Sequence, residues 1–421
     1  MHRLIEELYP ICRSITGDGV RDTLGIIGQN IPLEITEVAT GSKVFDWEVP
    51  REWNVNDAYV KNGSGERIID FNASNLHVVN YSQPVNAKVD LEELKQHVHT
   101  LPDQPELVPY RTSYYQEQWG FCASHTLMQG LGEDTYEVCI DSSLKDGSLT
   151  YGECYIEGSS TDEVLLSCHV CHPSLCNDNL SGIALLTFLG KALKKRRHLR
   201  YSYRLLFIPA TIGSIAWLSK NEKNVHRIKH GLVATCVGDG GRFTYKKSRR
   251  GNTEVDRAAI HCLQHSNSDY LVKEFFPYGY DERQYCSPGF DLPVGCLMRS
   301  PHGEYAEYHT SADNLDFVRA EYLQESLELY LNVISVIEGN IVYVSKNLKC
   351  EPQLGKRGLY KAIGGDDGQG DRQLAMLWVL NLADGKHALL DMAERSGMDF
   401  RLLGKIAGTL CENGLLEVQK D

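Results

Sequence analysis

The chain carries no excess of positive charge: 43 Lys and Arg stand against 56 Asp and Glu, a formal net charge of -13. That balance opposes general affinity for nucleic acid or for an anionic membrane surface. Long apolar runs are absent too, because each hydrophobic stretch breaks on a charge or a glycine well short of the roughly 18 to 20 residues that cross a bilayer. No apolar stretch of signal-peptide type follows Met1. Neither GxSxG nor GxxxxGK(S/T) occurs, which excludes nucleophile-elbow serine hydrolases and P-loop nucleotide hydrolases. Of the 13 cysteines, only Cys168 and Cys171 have CxxC spacing, so a four-cysteine zinc site has no second pair to draw on. A redox CxxC opens a helix, whereas this pair leaves a strand end, and small apolar packing is its expected use. An odd number of scattered cysteines reads as a reduced, cytoplasmic protein.

What is present begins with enough apolar material, 42% of 421 residues, to build two or three domains. The segment Val164 to Leu189, VLLSCHVCHPSLCNDNLSGIALLTFL, is the most informative. Val164 to Leu166 read as a buried strand, with His169 and His172 leaving its end. Pro173 stops the strand, and Asn177, Asp178 and Asn179 precede an apolar-periodic helix through Leu180, Leu185, Leu189 and Leu193. Open α/β sheets place their sites outside the carboxyl ends of their strands, and two imidazoles with a carboxylate there suit zinc. Asp178 alone also reads as a helix cap. Asp239, within VGDGG, has an equally good turn reading.

Apolar strands at Tyr203 to Pro209, Gly231 to Val237 and Val294 to Met298 alternate with helices, one of them at Ile212 to Leu218. They predict a mostly parallel sheet covered on both faces, closed by a long helix from Asp316 to Ile337. An opening helix, Ile5 to Ile15, is assigned to the same domain, which spans 1–44 and 131–345. Between them, 45–130 reads as a small β-rich insertion, with strands expected at Glu66 to Phe71 and Leu76 to Asn80. Its aromatic run, Tyr110 to Phe121, suits either a substrate cleft or interdomain packing. Gly364 to Gly370 reads as a linker. In 350–421, helical patterns at Arg372 to Leu382, Ala388 to Arg395 and Phe400 to Asn413, then a strand at Leu415 to Val418, resemble a winged helix-turn-helix. With nine Lys and Arg against eleven Asp and Glu in 351–421, a protein-contact or homo-oligomer role is expected ahead of DNA reading.

The second informative segment is Asp281 to Leu315, holding DERQYC and EYHTS. Together with CHPS, NDNLSG and CVGD, these motifs resemble the bacterial aminopeptidase-like proteins of the zinc aminopeptidase and glutamate carboxypeptidase II superfamily, across nearly the whole chain. The resemblance implies a zinc-peptidase α/β fold with a β-rich insertion and a C-terminal winged helix. It implies metal ligation, one or two zinc per chain, by His169, Asp178, Asp239 and His309, with His172 replacing or joining His169. It also implies hydrolysis of a peptide or acyl-amide bond by activated water, and some such proteins are encoded near polysaccharide-biosynthesis functions.

One departure counts against simple transfer. The family's adjacent glutamates, a base and a ligand, correspond here to Ala210 and Thr211 in IPATIG. Asp281, Glu282 and Glu307 are the candidate replacement carboxylates, and Arg283, Arg299 and Tyr308 are candidate groups for a substrate carboxylate or an oxyanion. The expected substrate is a small peptide-like or amino-sugar compound. The alternatives are a deacylase acting on an amino sugar in surface-polysaccharide synthesis, and a non-catalytic metabolite sensor with a winged-helix output.

Overall fold

The computed structural model describes residues 1–359 and 369–419. It divides into two compact units, one of Met1–Gly251 with Asp269–Glu328 and one of Asn252–Ser268 with Leu329–Asp421. No helix among the described residues is long and apolar enough to cross a membrane.

The first unit is built on an eight-stranded sheet. Its strands are β1 (Glu34–Ala39), β2 (Ser148–Ile156), β3 (Glu163–His169), β4 (Ser202–Ile208), β5 (Ile228–Ala234), β6 (Phe243–Lys246), β7 (Tyr270–Lys273) and β8 (Val294–Met298), and their order across the sheet is β1-β2-β4-β3-β5-β8-β6-β7. The central run β4-β3-β5-β8 is parallel, while β1, β2 and β6 pair antiparallel with their inner neighbours. All seven residues of β3 are buried, as a strand covered on both faces requires. The helices Gly182–Lys194 and Ile212–Asn221 follow β3 and β4 and bury their apolar residues. This is the α/β architecture expected, although the sheet's flanks are antiparallel and their strands gave weaker signals than its centre.

Three local expectations need correction. The opening helix ends at Leu8 rather than Ile15, because Pro10 cannot continue it, and a separate helix spans Asp18–Gly28. Leu76 to Asn80 is not a strand: Asn75–His77 is a single 3-10 turn capped by Ser74, and the residues after it are buried without two-faced alternation. The long closing helix begins at Ala320, not Asp316. The inserted sheet has the order Arg67–Asp70, Glu52–Lys61, Tyr136–Lys145, Val85–Val89, all antiparallel, so its third strand comes from beyond residue 130.

The second unit holds the helices Glu254–Gln264, Gln369–Leu382, Leu389–Ser396 and Phe400–Glu412. A three-stranded antiparallel sheet accompanies them, with Val342–Ser345 between Asp384–Ala388 and Leu416–Val418. Asp399 caps the last helix, accepting the Arg401 and Leu402 N–H groups at 2.8 and 3.2 Å. The left-handed Gly397 (φ 68) ends the helix before it. The linker expected at Gly364 to Gly370 falls largely outside the described residues; Gln369 and Gly370 already open a helix.

Candidate functional site

β3 delivers His169 at its last position, in register with Ile208 of β4. The chain then turns through Cys176–Ser181, where Asp178 and Asn179 leave helical geometry (φ -111 and -148). Asp178 does not cap the following helix; Asn179 accepts the Gly182 N–H at 3.2 Å instead. The Asp178 carboxylate is thereby free to face the histidines. Its Oδ1 lies 2.9 Å from His169 Nε2, and its Oδ2 lies 2.9 Å from His309 Nε2 and 3.9 Å from His172 Nε2. Asp178 and His169 are wholly buried.

Burial alone would raise the Asp178 carboxyl, but its electrostatic interactions with the neighbouring imidazoles and the contacts from His169 and His309 outweigh it, so the group sits well below the usual range. His172 is pushed well below its ordinary value by burial, against the opposing pull of Asp178. It is therefore neutral, the form in which imidazole ligates a metal. His309 holds a left-handed backbone (φ 54), a strained conformation that folded structures keep mainly where a side chain must be aimed.

The donor set fits a metal ion. His169 Nε2 and Asp178 Oδ1 face each other while neither has a hydrogen-bond partner. Buried polar atoms are seldom left so, and an ion between converging donors would satisfy both. Among the described residues, His169, His172 and Asp178 form a group whose ligand atoms all lie within 4.8 Å of one another.

The loop carrying Asp178 is itself held by a buried carboxylate. Asp313 accepts the Asn177 N–H at 2.5 Å and the Asp178 N–H at 3.0 Å, and its carbonyl accepts the Cys176 N–H at 3.0 Å. Burial pushes its carboxyl up to about 8, against those two donors. Arg13, fully buried, ties the other end, donating from Nε to the His172 carbonyl at 2.8 Å and from Nη1 to the Leu8 carbonyl at 2.7 Å. The sequence alone assigns neither of them this role, since their partners lie far away along the chain.

Not every candidate joins this cluster. Asp239 is taken up by its own turn: Oδ1 accepts from the Gly241 N–H and Ser300 Oγ, both at 2.6 Å, and Oδ2 accepts from Asn177 Nδ2 at 2.8 Å. It braces the loop from behind. Glu282 pairs with buried Lys246 at 2.6 Å. Arg299 is an anchor on the far side of β8, donating to the Gly241 carbonyl and Ser326 Oγ, pairing with Glu325 and lying over the Phe243 ring. Glu307 is half-buried, and its carbonyl caps Thr310. Asp281 is fully buried beneath the cleft wall, with Oδ1 accepting from Ser214 Oγ at 2.8 Å and Oδ2 unpartnered; burial raises its carboxyl to about 6. The CxxC cysteines are free thiols in the core, and burial pushes Cys171 up to about 12.

The cluster opens into a cleft of about 570 Å³. Its walls hold His172, Asp178, His309, Tyr308 and Arg283, together with Ala210 and Thr211. The aromatic run of the insertion supplies Tyr110, Tyr114 and Tyr115, with Arg111 and Thr112. Tyr110 lies 5.1 Å, centroid to centroid, from both His172 and His309, and its N–H donates to the His309 carbonyl at 2.8 Å.

Residues 2–340 match a family described as a domain of unknown function (DUF4910), and residues 341–418 match a winged helix-turn-helix family. A Clostridium acetobutylicum protein, provisionally named as a polysaccharide biosynthesis protein with an aminopeptidase-like domain, is 55% identical over 99% of this chain and 96% of its own length. A crystal structure provisionally described as a peptidase from the same organism superposes with a TM-score of 0.95 at 54% identity, covering 99% of this chain and 96% of that one. The zinc aminopeptidase BSAP of Bacillus subtilis shares the fold, with a TM-score of 0.58 at 11% identity over 80% of this chain and 93% of that one. The family match over residues 2–340 and 55% identity over nearly the whole length make this chain a member of the DUF4910 family, an α/β unit with the fold of the zinc aminopeptidase BSAP followed by a winged helix.

Proposed function

We propose that this protein is a metal-dependent hydrolase of peptide or acyl-amide bonds. The observation that carries the reading is the buried, unsatisfied pair His169 Nε2 and Asp178 Oδ1, with His172 and His309 beside it at the floor of an aromatic cleft. These four residues would hold one or two zinc ions, a good match for imidazole nitrogen and carboxylate oxygen. When bound, zinc supplies Lewis-acid polarisation of a carbonyl and makes water a competent nucleophile near neutral pH.

The chain's own groups do the rest. The Tyr308 phenol, on the cleft wall, is held protonated by burial, so its O–H is a donor for the oxygen of a substrate carbonyl as charge develops there. Tyr110 and Tyr114, hydroxyl to hydroxyl at 3.1 Å, form an aromatic wall that excludes water. Of the three candidate carboxylates, Asp281 is favoured as a titrating support for the site, because Glu282 is committed to the Lys246 ion pair whereas Asp281 accepts only from Ser214 Oγ and has an affinity for protons close to neutral pH. It does not line the cleft, so it acts through its charge on His169 as a positioning residue.

The substrates to test first are aminoacyl amides and N-acyl amino sugars, the latter because of the relative's provisional link to polysaccharide synthesis. Zinc-reconstituted protein should hydrolyse one class, and Asp281→Asn should lower kcat and flatten the acid limb of its pH profile while leaving KM near the wild-type value. A raised KM with kcat and its pH profile unchanged would remove Asp281 from the chemistry. A metabolite-sensing role is favoured by Ala210 and Thr211 at the cleft edge; zinc-loaded protein that turns over neither class yet binds one would support it.

A further inference from the structure

The charges on the cleft wall are inverted relative to the chain. In a protein of net charge -13, the cleft presents two guanidinium groups, Arg111 and Arg283, and one carboxylate, Asp178. That carboxylate faces three imidazoles. Among the described residues no other Asp or Glu lines the cleft, and Arg283 acts on the buried Asp281 carboxyl behind it only as a nearby charge. Arg283 Nε is buried without a hydrogen-bond partner, and its guanidinium lies 5.9 Å from the Tyr278 ring centroid. An unsatisfied buried donor on a cleft wall is a group left for a ligand.

Resting on the hydrolase reading above, we infer that the substrate is an anion, an acyl amide bearing a carboxylate or a phosphate, held by Arg111 and Arg283, and that a free α-ammonium group is disfavoured. A substrate with a free amino terminus needs an acceptor carboxylate, and this wall has none to give. Carboxylate and phosphate oxygens instead match the guanidinium fork. The two arginines come from different segments, Arg111 from the insertion loop whose Pro109 makes an isolated bridge to Thr310 and Arg283 from the short helix Glu282–Tyr285. Both ends of a substrate can thereby be read. The tyrosines supply faces for its neutral part.

The test is titration calorimetry on the full-length protein as purified, with four probes: N-acetylglutamate, its neutral counterpart N-acetylglutamine amide, the cation glutamine amide, and N-acetylglucosamine phosphate. The anionic probes should bind at least about tenfold more tightly than the neutral and cationic ones, as expected for one charge-assisted hydrogen bond, and the better of the two identifies carboxylate or phosphate as the anion. Arg111→Gln, at an exposed position, and Arg283→Gln should each erase about tenfold of that preference, with Arg283→Lys retaining part of it and high salt weakening all three. Equal binding of all charges, tighter binding of the cation, no binding by any probe, or unchanged affinity in both Gln variants overturns the inference. Hydrolysis of the same probes by zinc-loaded protein is scored separately: turnover without anion preference sinks this inference alone, and anion preference without turnover sinks the hydrolase reading alone.

Discussion

Replacing Lys246 by Met should destabilise the first unit severely, and the structure gives the size. Lys246 and Glu282 retain 4% and 1% side-chain exposure, and Nζ sits 2.6 Å from Oε1 while also donating to the Tyr278 carbonyl at 2.8 Å. At an effective dielectric near 20 the gross attraction is about 6 kcal/mol, most of it offset by desolvation. Removing one partner strands the other as a buried charge, a cost of about 3–5 kcal/mol. Glu282 would keep only the Tyr280 N–H, at 3.3 Å from Oε1, with Oε2 unpartnered. The pair also pins Tyr278 to Arg283, the segment that carries the cleft arginine. Urea unfolding followed by fluorescence suits the measurement, since Trp47, Trp53, Trp119 and Trp217 lie in the first unit and only Trp378 in the second; with two units the transitions need separate fitting. Lys246→Met should lower the first-unit midpoint by that amount, and adding Glu282→Gln should restore at least about 2 kcal/mol by removing the stranded charge. A loss below about 1 kcal/mol, or a double variant worse than the single one, would refute the reasoning.

Further outcomes follow from other buried groups. His261 accepts the Phe400 N–H at 3.0 Å and is lowered by burial from 6.5 to about 4, so below pH 6.5 the unfolded chain takes up a proton that the folded one refuses; second-unit stability should fall by up to about 3 kcal/mol between pH 6.5 and pH 4, and His261→Gln should abolish that slope in thermal melts. The Asp281 carboxyl is raised from 3.8 to about 6, so its burial is harmless below pH 3.8 and costs increasingly as pH rises through 6; Asp281→Asn should gain up to about 3 kcal/mol at pH 8 while losing activity, and equal gains at pH 4 and pH 8 would contradict the assignment. Gly182 leaves no room for a side chain, since a Cβ would sit 2.6 Å from the Ala234 carbonyl oxygen; Gly182→Ala should cost about 1–3 kcal/mol by urea unfolding. Arg13→Lys cannot span the Leu8 and His172 carbonyls, so about 1–3 kcal/mol of first-unit stability should go with it, again by urea unfolding.

The centre of the fold was legible because β3, β4, β5 and β8 are short apolar runs, the pattern that a sheet covered on both faces imposes. The flanking strands, such as β6 with only four residues, carry too little pattern to stand out. His169, His172 and Asp178 were readable as a group because one strand end and one turn place them, and the motif resemblance joined His309 to them. Glu282 shows the limit: two adjacent carboxylates look alike in a sequence, and only the fold shows that one meets Lys246 while the other meets Ser214. Asp313, Arg13 and Arg111 were given no role for a related reason. Each acts on partners that are distant in sequence, so no local spacing announces them. Asp239 was read from its motif, and the hydrogen bonds that absorb both its oxygens are invisible at that level.

The central claim is that the buried imidazole and carboxylate cluster holds a metal. Its most direct test is metal content by plasma mass spectrometry on protein purified without chelator, for the wild type and for Asp178→Asn, with circular dichroism confirming that both are folded. The account predicts about one to two zinc per wild-type chain and a clear fall in the folded variant. A folded wild type that retains no metal after equilibration with zinc would contradict it.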